Sequence, residues 1–429
     1  MLFGMRTASA QTGGPASNLE RTKIVAAYKL LEGIIVLEAA WLGPNALGGF
    51  LADMGATVVK IESPEKGDPL RFAGAQAVGD ENGFGFLHLR WNRGKKSVAL
   101  DLKTAKGVAL FKRMAKRADV VIEGMRGGTL ARLGVGYEAL RVENPKLVFC
   151  SLSGLGLSGP YAERGSNAPS YDLFAGLATP APGATVSKHQ GPQGVPIGMY
   201  SMGRDAAIGV LAALVNAQRT GVGAEIEVAA CDSAAHWLPE ALEPILNKDV
   251  AFDRPNWLDN GGRMVKWSRL DTYRTKDGRL IYLQLYYDKF WNNFLRATNR
   301  ADLNQLYDRF SVTEVDDEMA KAMTDLLLTR TFEEWVAVFD ANGVPYMVVN
   351  DFADLAHDPH FVARDNIYTV PDPKGRPLRL TSTPIKVTGQ SFAPALAPAL
   401  GEHTTSTLRD VFELSQNEID QLRAAGILG

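Results

Sequence analysis

A basic cluster, Arg90-Trp-Asn-Arg-Gly-Lys-Lys96, holds four cationic side chains around one glycine. A glycine-containing turn of this kind can present several charged donors to a phosphate group. A second basic position, Arg71, closes a segment that begins at Glu62, where a predicted strand ends and where open α/β sheets usually bind ligands. If the two segments share one edge of the sheet, they predict a local site for an anionic ligand. The alternative for each segment is a solvated turn.

Other kinds of chemistry find little support in the motifs. The segment Gly154-Leu-Gly-Leu-Ser-Gly159 has the glycine spacing of a dinucleotide-binding turn, but Pro160 follows it and no helix is predicted there to receive a pyrophosphate. The histidines include one close pair, His357 and His360, without a third metal ligand in register. No Gly-x-Ser-x-Gly elbow is present, and the two cysteines have no neighbouring histidine. We therefore expect neither NAD nor a metal, and the carboxylates become the candidates for catalysis.

Composition and charge describe a folded protein without a strong overall field. The 429 residues are 46% hydrophobic and 22% charged, with 42 glycines and a formal net charge of -2. Such a balance does not draw a protein to nucleic acid or to an anionic membrane. No apolar run approaches the roughly 20 residues that span a bilayer, and residues 1–18 lack a continuous apolar stretch for export. We expect a cytoplasmic protein without nucleic-acid or membrane partners.

Alternating strand and helix patterns predict an α/β fold with a parallel sheet. Short apolar runs typical of buried strands recur along the first part of the chain, at 33–40, 56–62, 97–102, 118–124 and 146–154. Helical patterns separate them, including one from Thr104 to Lys116 with Thr104 as its N-cap. A long Ala-rich helix is predicted over 203–218, and a strand follows at 225–230. This alternation is typical of parallel sheets.

Changes of composition divide the chain into regions. We expect a large α/β domain that begins with residues 1–225, a connection over 226–268 that is extended and interrupted by prolines, a smaller α+β domain over 269–350, and a return segment with the rest of the large domain over 351–429. The smaller domain is predicted from two strands around Lys276-Asp277-Gly278 and from helices over 288–298 and 332–343. A final helix is predicted over 416–425.

Several long segments carry a resemblance to a known family. They are GIIVLEAAWLGPNALGGFLADMGATVVKIESPEKGDPLR, WNRGKKSVALDL, ADVVIEGMRGG, LGVGYEALRVENPKLVFCSLSGLGLSGPY and PSYDLFAGLA, and similar segments continue to AAGIL near the C terminus. Together they resemble the family III CoA-transferases, which include formyl-CoA and carnitine CoA-transferases and α-methylacyl-CoA racemases. The resemblance implies an interlocked homodimer of ring-like chains, a Rossmann-like large domain built from both chain ends, and a small middle domain. It also implies that the substrate, a CoA thioester, binds at the domain interface.

The same resemblance assigns a role to the basic segments. Arg71, Asn92, Arg93, Lys95 and Lys96 fall where the family holds the nucleotide and phosphates of coenzyme A. Coenzyme A carries about four negative charges, and Arg or Lys donors are the usual partners of phosphate. We therefore expect coenzyme A to enter as part of an acyl-CoA substrate that these residues hold.

A substitution stands at the position of the family's nucleophile. The transferases of this family use an aspartate, typically in a G-D-x-x-x-G motif, which attacks the acyl-CoA carbonyl and passes through a mixed anhydride to an aspartyl-CoA thioester. Here the aligned segment runs from Gly198 to Gly203, its register is fixed by the following IGVLAAL, and Met199 takes the aspartate's place. A thioether cannot accept an acyl group, so the usual mechanism would need another carboxylate. Asp205 is expected to lie inside the helix.

A second family motif is retained at Ser170-Tyr171-Asp172, where many transferases have Tyr followed by an acid and the racemases have His followed by Asp. Asp172 is the predicted catalytic acid or base at the α-carbon, with a raised pKa if it is buried, and Tyr171 is a predicted hydrogen-bond donor. The alternative for Asp172 is a helix N-cap. Asn260-Gly261-Gly262 corresponds to a glycine loop that closes over the reacting carbonyl in formyl-CoA-type transferases, and an ordinary turn fits it equally well.

The sequence thus predicts an enzyme that acts on acyl-CoA thioesters and moves CoA between carboxylic acids. Its expected partners are acyl-CoA, a carboxylic acid acceptor and a second copy of the chain. Two alternatives stay open because of Met199. One is an acyl-CoA isomerase, racemase or lyase that uses Asp172. The other is a CoA-binding subunit whose homologous partner chain supplies the aspartate.

Overall fold

The computed structural model describes residues 28–77, 84–125, 127–177, 196–249, 267–306 and 315–429. Its main feature is a parallel sheet with the strand order β3-β2-β1-β4-β5-β6. The strands are β1 Ile35–Ala40, β2 Thr57–Glu62, β3 Lys96–Ala99, β4 Val120–Gly124, β5 Val148–Ser153 and β6 Ala224–Ala229. The predicted parallel sheet is confirmed. Because the order reverses between β1 and β4, a crevice for a ligand is expected at their carboxyl ends.

The central strands are apolar on both faces because helices cover both faces of the sheet. Alternate residues of β1 enter different cores: Leu37 packs with Val59 of β2 and Val121 of β4, whereas Val36 packs with Val58 and Val120 on the opposite face. The parallel register pairs Leu37 with both Val59 and Val121. These side chains are fully buried, which explains why the strands read as continuous apolar runs.

Helices connect and cover these strands. They are α1 Asn45–Asp53, α2 Phe86–Asn92, α3 Ala105–Ala115, α4 Thr129–Arg132, α5 Tyr137–Arg141, α6 Ala168–Phe174, α7 Ile197–Thr220, α8 Ala230–Ala235 and α9 Pro239–Leu246. The predicted N-cap of α3 is confirmed, since the Thr104 hydroxyl accepts a hydrogen bond from the Gly107 amide at 3.0 Å.

The long helix α7 begins at Ile197, earlier than the predicted start at residue 203. Its first two turns contain Gly198 and Gly203, which lower helix propensity and hid them from the sequence pattern. Packing explains both glycines. A Cβ at Gly198 would lie 2.6 Å from the carbonyl oxygen of Ala230, and a Cβ at Gly203 would lie 2.7 Å from the Cβ of Ala46.

The predicted extended connection after β6 is wrong in its described part. The chain forms α8 directly after β6 and then α9, which tolerates Pro244 inside it. Strand β6 pairs with β5 as far as Ala229, so the predicted boundary at residue 225 falls inside a strand of the sheet. Asn260-Gly261-Gly262, the predicted glycine loop, lies outside the described residues.

The middle of the chain forms a second, separate core. An antiparallel sheet of β7 Thr272–Arg274, β8 Leu280–Leu283 and β9 Tyr346–Val348 packs with α10 Asp288–Thr298, α11 Val315–Leu327 and α12 Phe332–Asn342. The predicted hairpin around Lys276-Asp277-Gly278 is confirmed as the β7–β8 pair. Both predicted helices of this region are also present. The domain limits drawn from the sequence stay predictions.

The C-terminal segment returns to the parallel sheet. It contains α13 Phe352–Leu355, α14 Pro359–Ala363, the antiparallel pair β10 Ile367–Pro371 and β11 Pro377–Thr381, α15 Thr404–Asp410 and α16 Gln416–Ala424. Leu408, Ile419 and Leu428 lie in the same buried cluster as Leu37 of β1. Residues near the two ends of the described chain therefore share one core. No helix in the described ranges is long and apolar enough to cross a bilayer.

Candidate functional site

A cavity of about 800 Å³ lies where the sheet order reverses. Its walls come from the segments that follow β1, β4 and β5, from the loop before α6, and from the first turns of α7. This is the crevice expected at the carboxyl ends of parallel strands. Most of the lining is apolar, and it includes Trp41, Leu42, Leu70, Leu87, Trp91, Leu152, Leu155 and Met202.

The turn between β1 and α1 forms one wall in a strained conformation. The φ angle of Leu42 is 55°, a left-handed backbone conformation that residues other than glycine rarely adopt. The backbone amide of Leu42 faces Asp68 Oδ1 at 3.4 Å, and the Asn45 side chain donates a hydrogen bond to the other carboxylate oxygen of Asp68. Asp68 therefore helps to hold the turn that shapes the cavity.

Met199 lies in the first turn of α7 and lines the cavity. A Cβ at Gly43 would lie 2.6 Å from Met199 Cγ, so this side chain packs directly on the backbone of the β1–α1 turn. The residue at position 199 thus reaches the cavity wall, although its thioether has no acyl-accepting oxygen. Asp205, the nearest carboxylate further along α7, is half-buried and is not among the described residues that line the cavity.

Two hydroxyl groups approach one point at the cavity wall. A Cβ at Gly154 would clash with the Oγ of Ser166 and would lie 2.9 Å from the phenol oxygen of Tyr171. Tyr171, Ser166 and Gly154 all line the cavity. Within the described ranges neither hydroxyl has a hydrogen-bond partner, so both can donate to a ligand oxygen. Tyr171 is thus in a position consistent with its predicted role, which stays a prediction.

Asp172 lies behind this wall and does not line the cavity. It is 7% exposed, and its Oδ1 accepts a hydrogen bond from the Gly198 amide at 2.8 Å. Burial raises the pKa of Asp172 above its usual value, although the amides of Gly198 and Ile197 act in the opposite direction. Asp172 therefore caps the helix that carries Met199. The alternative that Asp172 is the N-cap at the start of a helix is wrong, since Asp172 lies within α6, whose N-cap is Asn167.

The basic residues predicted to bind phosphate face inward and pair with carboxylates. Lys95 Nζ lies 2.8 and 2.7 Å from the two oxygens of Glu38, and it also donates to Asn92 Oδ1 at 3.0 Å. Lys60 Nζ lies 2.9 Å from Asp68 Oδ2 and 3.9 Å from Glu38 Oε2. All of these side chains are buried. Two cations and two anions thus form one network beneath the cavity.

Two arginines form similar buried pairs. Arg71 donates through Nε and Nη2 to both oxygens of Glu62, at 2.9 and 2.6 Å, and through Nη1 to the carbonyl of Pro398. Arg93 donates to both oxygens of Asp53 at 2.7 Å. Such two-point contacts fix orientation as well as charge. They link the loop after β2 to the C-terminal segment, and the turn before β3 to α1.

This placement corrects the expected geometry of the phosphate site. Parallel pairing aligns Lys96 with Val59 and Ala99 with Glu62, so the turn before β3 lies at the amino edge while the Arg71 loop lies at the carboxyl edge. The two segments therefore do not share one edge. Arg71, Asn92, Arg93 and Lys95 are closed to solvent in this conformation, and Lys96 is half-buried. Their role in binding CoA stays a prediction.

The buried carboxylates predict a loss of stability in acid. Burial raises the pKa of Glu62, but its bond to Arg71 and the charge of Lys60 outweigh this and lower the pKa to about 2. Burial also raises the pKa of Asp68. The charge of Lys60 and the hydrogen bond from the Leu70 amide outweigh this and lower the pKa to about 2. Since the unfolded carboxylates titrate near pH 4, this stabilisation is full above that pH and is lost as the pH falls toward about 2.

We expect the free energy of urea unfolding to fall between about pH 5 and about pH 3. The E62Q variant should show a smaller fall, because it has lost one of the depressed carboxyl groups. E333Q is the matched control, since the side chain of Glu333 is 75% exposed in its pair with Arg279. An unchanged pH slope in E62Q would contradict the assignment.

Four members of this network, Glu38, Asn45, Lys60 and Asp68, were missed by the sequence analysis. Glu38 and Lys60 were present as single charged residues inside buried apolar strands, IVLEAA and TVVKIE. A charge at such a position must be paired, because burying it alone is costly. That rule could have identified the two side chains as partners. It could not have found Asp68 and Asn45, which lie in loops and helix starts.

Other reactive groups give no second candidate site. Cys150 and Cys231 are buried free thiols, and burial raises their pKa values to about 12 and about 11. Neither is therefore a thiolate near neutral pH. Cys231 lies in α8. Within the described ranges, no group of three or more His, Cys, Asp or Glu side chains is arranged to hold a metal.

Comparison with known proteins finds one family along most of the chain. The family model described as CoA-transferase family III matches residues 31–404. The succinyl-CoA–L-malate CoA-transferase alpha subunit of Chloroflexus aurantiacus is 31% identical over 443 residues, covering 98% of this chain and 97% of that protein. Human α-methylacyl-CoA racemase is 28% identical over 93% of this chain and 97% of its own length.

The fold has solved relatives as well. The crystal structure of a CAIB/BAIF family protein from Brucella suis is 28% identical, with a TM-score of 0.71, and the match covers 89% of this chain and 99% of that one. The family match extends over most of the chain, and the similar proteins are aligned over nearly their whole lengths. The segments that carried the resemblance in the sequence therefore identified the family correctly, and this chain belongs to CoA-transferase family III.

Proposed function

We propose that this enzyme binds an acyl-CoA thioester in the cavity at the carboxyl edge of the sheet and moves CoA between carboxylic acids. The observation that carries the proposal is the position of residue 199, the family's nucleophile position, at the wall of that cavity. Relatives named as CoA-transferases for succinyl-CoA with L-malate and with glutarate support the reaction class. Cinnamoyl-CoA:phenyllactate CoA-transferase is a further similar protein.

The transfer of CoA from one acid to another does not require a carboxylate on the enzyme. The acceptor carboxylate attacks the thioester carbonyl, the C–S bond breaks, and CoA leaves as a thiolate from a mixed anhydride. The thiolate then attacks the acceptor's carbonyl carbon, the C–O bond of the anhydride breaks, and the first acid leaves as a carboxylate. In both steps, negative charge develops on a carbonyl oxygen. Tyr171 and Ser166 are the proposed donors to that oxygen, and the apolar walls protect the anhydride from water.

The role proposed for Asp172 in this reaction is to position the first turn of α7. D172A removes the acceptor of the Gly198 hydrogen bond, which should cost about 1 kcal/mol of stability and lower the exchange rate. D172N keeps an acceptor oxygen and should retain most of the exchange rate. If Asp172 instead transfers a proton at the α-carbon, both variants should lose activity together. Exchange rates and melting temperatures of the two variants separate these outcomes.

We also propose that one of the predicted basic residues, Lys96, contacts the phosphates of CoA. Lys96 is the half-buried member of the group, and it is the one whose side chain can reach solvent. The other four predicted residues are proposed to form a rigid frame around the site while they keep their buried hydrogen-bond and ion-pair partners. They are Arg71, Asn92, Arg93 and Lys95. Calorimetric titration of K96A with CoA tests the remaining phosphate contact.

The interlocked homodimer with a Rossmann-like large domain is also proposed. Exposed apolar side chains on α7 and α9 support it, since Ile208 is 68%, Val215 56% and Leu246 70% exposed in the single chain. A relative named as an alpha subunit supports the alternative of a hetero-oligomer with a homologous chain. Light scattering of the purified chain distinguishes a dimer from a monomer that needs another partner.

The activity itself is tested by mass spectrometry of the purified chain with acyl-CoAs and free carboxylic acids in D₂O. New acyl-CoA species without deuterium uptake would establish transfer. Deuterium uptake at the α-carbon without exchange would establish the isomerase or racemase alternative, which the similarity to human α-methylacyl-CoA racemase favours. If neither product forms, a missing partner chain becomes the leading explanation.

A further inference from the structure

The cavity contains a cation that the proposed reaction does not use. Among the described residues that line the cavity, Arg164 alone has a charged side chain. It lies in the loop between β5 and α6, two residues before Ser166. The remaining lining is apolar, backbone or neutral polar. A single guanidinium in such surroundings marks a place where a substrate can contribute an anion.

Arg164 is held in place without an ion pair to a carboxylate in the described part of the chain. Its guanidinium carbon lies 3.7 Å from the centre of the Tyr161 ring, a cation–π contact, and its backbone amide donates to the Tyr161 carbonyl at 2.9 Å. Tyr161 in turn packs edge-on against Phe174 of α6, with ring centres 6.2 Å apart. The side chain is therefore oriented before any ligand arrives, which reduces the entropy lost on binding.

The contrast with the other arginines near the cavity is clear. Arg71 and Arg93 each donate two hydrogen bonds to a buried carboxylate. In the described part of the chain, Arg164 has no carboxylate partner, and its side chain is exposed. When an acyl chain fills an apolar cavity, it removes water from nearby groups, and an unpaired cation then becomes costly. A second carboxylate on the substrate offsets that cost, whereas a methyl group does not.

We propose that Arg164 selects acyl groups and acids that carry a second carboxylate, so that the preferred substrates are dicarboxylic acids and their CoA monothioesters. This inference rests on the proposed function. Tyr171 and Met199 are half-buried lining residues of the cavity, whereas Arg164 is an exposed one, so the reacting carbonyl is assigned to the first two and the second carboxylate to Arg164. The planar guanidinium matches a carboxylate with two parallel hydrogen bonds.

The test measures binding rather than turnover. Glutaryl-CoA, pentanoyl-CoA and free CoA are titrated into the chain by calorimetry; the two thioesters differ only in a terminal carboxylate against a terminal methyl. The wild-type chain should bind glutaryl-CoA more tightly than pentanoyl-CoA. R164Q should weaken glutaryl-CoA binding about tenfold to a hundredfold, the usual size of a hydrogen bond to a charged group, and leave the other two ligands unchanged. R164K keeps the charge and should retain part of the preference.

R279Q is the matched control, because Arg279 also stacks on an aromatic ring, 3.8 Å from the centre of Phe332, but lies in the middle region. It should leave all three affinities unchanged. An equal loss for all ligands in R164Q would mean that Arg164 contacts CoA itself and would overturn the inference, as would no loss. Selective binding without any CoA transfer would leave the inference standing and refute the proposed function. Failure to bind any acyl-CoA would refute both.

Discussion

The M199D variant is expected to form a covalent adduct with coenzyme A at residue 199, whereas the wild-type chain forms none there. Residue 199 lies at the cavity wall, in the first turn of α7. A carboxylate there can attack the acyl carbonyl and release the CoA thiolate. The thiolate then attacks the aspartyl carbonyl and displaces the acid, which leaves an aspartyl-CoA thioester. Splitting the exchange in this way should raise its rate at least tenfold, equivalent to about 1.4 kcal/mol of barrier.

The fold should tolerate this change. A carboxylate in the first turn of a helix interacts favourably with the exposed amides and the helix dipole. The shorter aspartate side chain also fits the space beside Gly43 that Met199 now fills. Asp172 caps the same helix end, and its charge acts in the opposite direction. The two effects should leave the melting temperature within a few degrees of the wild-type value.

The adduct is measured by peptide mass spectrometry as the aspartyl hydroxamate at residue 199, which forms when hydroxylamine attacks the aspartyl-CoA thioester and the CoA thiol leaves. M199N is the control, because its amide has the shape of the carboxylate but cannot act as the nucleophile. If M199D binds acyl-CoA, keeps its melting temperature and still forms no adduct, residue 199 does not face the thioester carbon. In that case the proposed position of the reaction would be wrong.

The K60M variant is expected to lose about 3–5 kcal/mol of unfolding free energy. Lys60 is fully buried, 2.9 Å from Asp68 and 3.9 Å from Glu38, and it also donates to Asn45 Oδ1 at 2.7 Å. Methionine fills nearly the same space but leaves two carboxylates without that cation. The largest effect is expected near neutral pH, because the lowered pKa of Asp68 keeps its carboxylate ionised there.

Urea denaturation measures this loss, with K321M as the matched control. Lys321 and Asp325 form an exposed pair, with side chains 77% and 62% accessible, so the same substitution should cost about 1 kcal/mol or less. A second expectation concerns the cavity. Asp68 holds the β1–α1 turn near Leu42, so K60M protein that stays folded at low temperature should also bind acyl-CoA less well. Equal losses in the two variants would contradict a structural role for the buried network.

Local sequence signals predicted most elements of the fold. The strands of the parallel sheet, the Thr104 cap and the β7–β8 hairpin follow from apolar periodicity, capping residues and turn residues, all of which act over a few positions. The first turns of α7 were missed because Gly198 and Gly203 are set by contacts with Ala230 and Ala46, which are distant in sequence. Helices α8 and α9 were missed because prolines suggested an extended chain.

The site was predictable only where the residue type defines the chemistry. Met199 and Tyr171 were found from motif positions, and both line the cavity. The orientation of the basic residues was not predictable, because whether Lys95 faces a phosphate or Glu38 depends on how three strands bring the side chains together. Arg164 was not singled out, since nothing around it in sequence indicates that it lines a cavity.

The packing of the C-terminal segment against β1 and β3 has a consequence for how the protein forms during synthesis. Leu428 forms a bridge with Leu100, and Phe412, Ile419 and Ile427 complete the cluster that includes Leu37. The ribosome must therefore synthesise the chain as far as Leu428 before this face of the sheet is completely covered. The middle region has its own local core and can fold earlier. Contacts between residues so far apart in sequence slow folding. The incomplete sheet therefore needs protection from aggregation until α16 has been synthesised and packs on it.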